Sequence, residues 1–168
     1  MLNKEKRKRY YRQSNKQKEI YLCCCFVIFC YYNYYVMKTK SIKQTAIFTG
    51  TPEEVYQLIM DQKKHTAFTG AKAIMSTKID GKFSVYDGYC HGHNIELIEG
   101  IKIVQAWHFG EDGWPEDHFS ICTFLFEKVG NKTKLTFTQT GVPEHKAESL
   151  KDGWKQYYWE AMEAYLKK

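Results

Sequence analysis

Beyond residue 36 this sequence has almost no cysteine and no net charge. Of six cysteines in 168 residues, four (Cys23, Cys24, Cys25, Cys30) lie in the first 36, which leaves Cys90 and Cys122. Two cysteines so far apart carry neither the spacing of a metal site nor a disulfide framework. Both read as small buried hydrophobes. Charge is lopsided in the same way. The net +6 comes from 25 basic against 19 acidic residues, and eight of the basic but only two of the acidic residues fall within 1–36. Residues 37–168 therefore balance, and that stretch has no electrostatic case for holding nucleic acid. Also missing are a Gly-rich phosphate loop, a nucleophile elbow and a paired-carboxylate arrangement. No catalytic residue, metal or cofactor is expected.

What is present points to a packed fold. Hydrophobic residues make up 43% and aromatics 16% of the chain, which excludes disorder over its whole length. The length suits one domain with a real core and is too short for two. Composition changes near Met37, so the expected division is an extension over 1–36 and a domain over 37–168.

The extension has a basic run, Lys4 to Lys18, then 18 residues from Ile20 to Met37 in which only Asn33 is plainly polar. That run is borderline for a spanning helix, which needs about 20 apolar residues. Its tyrosines suit an interface better than a bilayer centre. Three readings stay open: a signal anchor, a disordered basic tail, or sequence that is not native coding, with Met37 the true start. An anchor would place the domain on the non-cytoplasmic side. Otherwise the domain is expected in the cytoplasm, and contact with a membrane depends wholly on residues 1–36.

The domain begins with an alternating, β-branched stretch, Lys40 to Phe48, read as a strand. Thr51-Pro52-Glu53-Glu54 then starts a helix: Thr51 caps it, Pro52 takes the first turn and Glu54 completes a capping box. Val55, Leu58 and Ile59 give its buried face. A second short helix covers Gln62 to Phe68 and closes at Gly70. Strand-like segments follow at 71–79, 82–86, 89–98, 101–109, 117–129 and 132–141, with tight turns at Asp80-Gly81 and Asp87-Gly88. Residues 101, 103, 105, 107 and 109 share one strand face, as do Leu135, Phe137 and Gln139. A long helix closes the chain from about Ser149 to Lys167, with Leu150, Trp154, Tyr157, Tyr158, Ala161 and Tyr165 as its apolar stripe. The expected class is α+β: a curved antiparallel sheet of six or seven strands wrapped around a long C-terminal helix, with two short helices after the first strand.

An ordered set of motifs resembles the C-terminal domain of the activator of heat-shock protein 90 ATPase, within the START-like (SRPBCC) helix-grip superfamily. Thr51-Pro52-Glu53-Glu54-Val55-Tyr56 resembles its opening helix, and Ala67-Phe68-Thr69 the end of its second. Gly81-Lys82-Phe83, Asp87-Gly88 and Gly92 resemble its hairpin glycines. Trp107, Trp114-Pro115-Glu116-Asp117-His118-Phe119-Ser120, Gly141-Val142-Pro143 and Gly153-Trp154-Lys155-Gln156-Tyr157-Tyr158 match in the same order. Asp80 departs from a position where that family often has glycine. The likeness runs from about Ser41 to Lys167.

The resemblance implies a non-enzymatic co-chaperone module that docks on heat-shock protein 90 and assists its ATPase cycle. The full-length co-chaperone also has an N-terminal domain with an Asn- and Trp-rich binding segment. Residues 1–36 contain no Trp and are not that domain, so one of the two contacts is expected to be lacking. Trp114, Pro115, Asp117 and His118 on one loop, with Trp159 and Met162 on the helix edge, are the partner-surface candidates. At 100° per residue Trp159 lies roughly 140° from the centre of the apolar stripe, leaving it either buried under the sheet rim or exposed as a contact.

The rival function is binding of a small apolar ligand in the cavity that helix-grip folds commonly hold between sheet and helix. Its lining candidates are Phe83, Tyr89, Gln105, Trp107, Phe137, Gln139, Trp154 and Tyr158. The same aromatics can equally form an ordinary core, with Gln105 and Gln139 as partners for buried indole and phenol groups. His91 and His93 point to one strand face, but two ligands with His118 elsewhere do not make a metal site. His118 itself reads as a structural donor to backbone.

Overall fold

The computed structural model of the chain describes residues 37–168. Chain order is β1 (Thr39–Thr49), α1 (Pro52–Met60), α2 (Gln62–Thr69), β2 (Ile74–Met75), β3 (Lys82–Val85), β4 (Cys90–Ile98), β5 (Lys102–Phe109), β6 (Ser120–Val129) and β7 (Lys132–Pro143). A C-terminal helix follows. It consists of α3 (Ala147–Gly153), a π-helical stretch (Trp154–Trp159) and α4 (Glu160–Leu166). The junction residues Gly153, Trp154, Trp159 and Glu160 all keep helical φ and ψ, so the three pieces are one rod.

All seven strands form one antiparallel sheet in the order β1-β7-β6-β5-β4-β3-β2. Consecutive strands β2 to β7 meander, and β1 closes the order by pairing with β7, from Thr39 opposite Pro143 to Thr49 opposite Lys132. The alternation read from the sequence sets the faces. Ile103, Gln105, Trp107 and Phe109 point inward, as do Cys122, Phe124 and Phe126 on β6, and Leu135, Phe137 and Gln139 on β7, whereas Ile101, expected on the same face, lies in the turn before β5 and is exposed. Helix and sheet close over these side chains. This is the α+β helix-grip architecture expected from the pattern.

The predicted caps are present. Thr51 accepts from the Glu54 N–H, and the Glu54 carboxylate accepts from the Thr51 N–H at 2.8 Å. Asp61 caps α2 by accepting from the N–H groups of Lys63 and Lys64. Gly70 ends that helix at φ 72°. Gly92 is required by close packing: a Cβ there would overlap the Ala106 carbonyl oxygen and the Phe83 ring.

Two expectations are corrected. Of 71–79 only Ile74 and Met75 are strand, because the following residues are held in a loop by Asn94, whose Nδ2 donates to the carbonyls of Ser76 and Lys78. The terminal helix is not uniformly α-helical. The Glu160 N–H reaches back five residues to the Lys155 carbonyl, which gives a wider local turn.

Candidate ligand cleft and partner surface

The wider turn re-aims the helix. Trp154 and Trp159, five residues apart, lie on one face with ring centroids 5.6 Å apart and planes 16° from parallel. Trp159 is only 7% exposed and Met162 is fully buried. Of the two readings open for this edge, burial holds, so Trp159 and Met162 belong to the core and are not available as a partner surface. Tyr157, expected in the apolar stripe, is turned out instead and is 55% exposed. Hydrogen bonding fixes the arrangement: the Trp159 indole donates to Gln44 Oε1 at 3.0 Å, and Gln44 Nε2 donates to the Lys151 carbonyl.

The proposed cavity lining divides into a solid interior and a cleft. Phe83, Gln105, Trp107, Phe137 and Gln139 are core, in contact with one another or with the helix, and are not among the residues that line the cleft. Their polar atoms form a chain. The Trp107 indole donates to Gln105 Oε1 (3.1 Å), and Gln105 Nε2 donates to Asn94 Oδ1 (2.8 Å). The Trp154 indole donates to Gln139 Oε1 (2.7 Å), Gln139 Nε2 to Ser120 Oγ (2.8 Å), and Ser120 Oγ to the Trp107 carbonyl. Satisfying each buried donor avoids a cost of about 1–3 kcal/mol apiece.

Trp154, Tyr158 and Tyr89, by contrast, do line a cleft. It has a volume of about 400 Å³ and lies where the hairpin between β3 and β4 faces the terminal helix. Tyr86, Phe109 and Tyr157 complete its aromatic wall, and Gly153 contributes a stretch of helix with no side chain. The Tyr86 hydroxyl donates to the Tyr157 carbonyl at 2.8 Å, tying hairpin to helix. Tyr86 and Asp87 both hold positive φ to make this corner. Glu111 forms the one acidic part of the wall, with Lys146 Nζ 3.4 Å from its Oε2.

Burial sets the chemistry of the titratable groups here. It raises the Cys90, Cys122, Tyr86 and Tyr158 pKa values far above the ordinary thiol and phenol ranges. Tyr89 is pushed up to about 12 by burial and then by the Glu111 charge. Both cysteines are free and buried, as expected of small hydrophobes. His65, which the sequence did not single out, is fully buried with its pKa lowered to about 4 by desolvation. Its Nδ1 donates to the Ile59 carbonyl at 3.0 Å, which leaves Nε2 to accept from the Tyr158 hydroxyl at 3.4 Å.

The loop candidates separate by exposure. Trp114 is 7% exposed, packs on Phe109 and donates its indole N–H to the His118 carbonyl. It is the loop's anchor and not its contact. His118 is half-buried and its Nε2 donates to the Gly141 carbonyl, the backbone role read from the sequence. Pro115 and Asp117 are exposed. Phe119, which is not among the sequence candidates, is exposed beside the imidazoles of His91, His93 and His108 on the outer sheet face. Strand alternation after the loop could have flagged it, since Ser120 points inward. Among the described residues no cluster of His, Cys, Asp and Glu is arranged to hold a metal ion, and no helix is long and apolar enough to cross a membrane. The segment 1–36, with its anchor, tail and non-coding readings, lies outside the described residues.

Residues 49–167 match the family model for Activator of Hsp90 ATPase homolog 1-like protein. The chain belongs to this family. Human activator of 90 kDa heat shock protein ATPase homolog 1 is 34% identical over 122 residues, which is 73% of this chain and 35% of that protein. Mouse homolog 2 is 27% identical over 128 residues, 76% of this chain and 38% of that protein. The chain thus spans about a third of the length of the curated relatives it matches. A crystal structure described as an HSP90 activator from Plasmodium falciparum superposes with TM-score 0.69 at 29% identity, covering 76% of this chain and 96% of that one. CalU16 from Micromonospora echinospora shares the fold at TM-score 0.65 and 13% identity, with 76% of each chain covered.

Proposed function

We propose that this chain is a co-chaperone-like binding module that docks on heat-shock protein 90 and modulates its ATPase cycle. One observation carries the reading. The solved chain described as an HSP90 activator is covered over 96% of its length, so its description attaches to a domain of this same extent. Modulation then means binding one conformation of the chaperone better than another, without supplying catalytic groups. The cytoplasm is the compartment that suits this role.

The exposed loop residues Pro115 and Asp117, with Phe119 at the loop's exit, are the contact we favour. Aromatic side chains at a rigid, anchored loop make effective hot spots. Trp114 supports the contact from beneath by pinning the loop. The test is titration of the full chain against heat-shock protein 90, following binding and ATP turnover together. Saturable binding with altered turnover is expected, and Phe119→Ala should weaken it about tenfold without changing the far-UV spectrum. Absence of binding at about 100 μM would overturn the proposal.

A further inference from the structure

The cleft at the hairpin–helix corner carries three observations that packing does not explain. The first is Gly153. It lies within the terminal helix at helical φ −59°, where glycine is destabilising by about 0.5–1 kcal/mol relative to alanine. A Cβ there would meet nothing closer than Tyr157 Cδ2 at 3.9 Å, so no close approach demands the glycine. Its missing side chain instead leaves the cleft open.

The second is Glu111. Its Oε1 is shut off from water and has no well-aligned donor, alone among the buried side-chain nitrogen and oxygen atoms of the described residues, although the side chain as a whole is 23% exposed and the Tyr89 hydroxyl lies beside the carboxylate. Lys146 faces only the other oxygen, Oε2. A carboxylate oxygen shut off from water and met at best by a poorly aligned phenol is costly, and a charged N–H from a ligand would satisfy it better.

The third is the wall. Tyr86, Tyr89, Phe109, Trp154, Tyr157 and Tyr158 surround the cleft, and aromatic faces attract a cation as well as an apolar body. Tyr89 and Tyr157 are the most exposed of them, at 45% and 55%, and stand at the mouth. The volume is near the lower end of small-molecule pockets, about 300–1,000 Å³.

We propose that this cleft binds a small organic amine, an ammonium group on an apolar body, with Glu111 as its acceptor and the aromatic wall around it. The half-exposed Tyr89, beside the Glu111 carboxylate, turns to admit the ammonium to Oε1. This differs from a purely apolar ligand in requiring a donor.

Phenethylamine, 2-phenylethanol and 3-phenylpropionate test the proposal. Each is titrated into the full chain while the Trp154 indole resonance is followed by NMR. Saturable binding of the amine is expected, about tenfold tighter than the alcohol, with the acid weakest. Glu111→Gln should reduce the preference for the amine over the alcohol to about one, and Gly153→Leu should abolish binding of both by filling the cleft. The unaltered protein alone keeps the test decisive if either variant unfolds. Equal affinity for all three probes, or no shift at about 10 mM amine, overturns the proposal, as does an undiminished preference in folded Glu111→Gln.

Discussion

His65 is a charge switch buried among rings. Phe68 and Tyr158 lie 4.9 and 5.6 Å from its imidazole, and no carboxylate is present to stabilise a protonated form. The folded protein therefore keeps it neutral down to about pH 4, whereas the unfolded chain protonates it near 6.5. Between those values the unfolded state binds more protons, so this residue's contribution is complete above pH 6.5 and is lost as pH falls towards 4. The loss is on the order of 3 kcal/mol. Urea unfolding of the full chain at pH 7 and at pH 4.5 should show it, and His65→Gln should lose less stability over that interval. An unchanged pH dependence in the variant would refute this account. At this scale the sequence was partly legible. Strand alternation put Gln105 and Gln139 inside, and buried indoles need acceptors, so those pairs could be anticipated. Asn94 and His65 could not. Asn94 continues the inward alternation of Cys90 and Gly92, but its role is to hold the carbonyls of Ser76 and Lys78, a contact between segments distant in sequence that no local pattern marks. His65 is in a helix of weak amphipathicity, with a mostly polar sequence around it.

Among the elements, the terminal helix departs most from its sequence pattern. A helical wheel assumes a uniform turn, and the π-helical stretch breaks that assumption at Trp154–Trp159. One extra residue in a turn moves Trp159 beneath Trp154 and turns Tyr157 outward. The helix's existence was legible because its apolar spacing is local; its rotation was not, because that depends on one hydrogen bond shifting from four residues to five. Deleting Gln156, which is exposed, should restore the ordinary turn while keeping Trp159 below Trp154. Stability should change by no more than about 1 kcal/mol. Deleting Ala161 instead rotates the last turn by about 100°. That takes Met162 out of the core and should cost about 3 kcal/mol. Chemical denaturation of the two deletions separates the outcomes: equal losses would refute the insertion model.

For the whole molecule, the decisive feature is closure of the sheet order by β1 on β7. The first strand of the described residues finds its place only beside the last, across more than 80 residues of chain, as the Thr133 hydroxyl on the Gly50 carbonyl illustrates. Such distant pairing is slow to form, so refolding should take on the order of milliseconds to seconds. Stopped-flow fluorescence after dilution from urea measures it, and completion within microseconds would contradict this topology. The meander itself was readable from spaced turn signals, but nothing in the sequence pattern paired β1 with β7. The aromatic architecture adds an optical consequence. All four tryptophans lie beyond residue 36, all are buried, and each indole N–H donates to a protein oxygen rather than to water. Indole emission from the full chain is thus a background-free readout of the domain, blue-shifted when folded. The near-parallel Trp154 and Trp159 chromophores, moreover, sit close enough for their transition dipoles to couple. An exciton couplet in circular dichroism then becomes a built-in, label-free gauge of whether that pair stays stacked when something enters the cleft beside it.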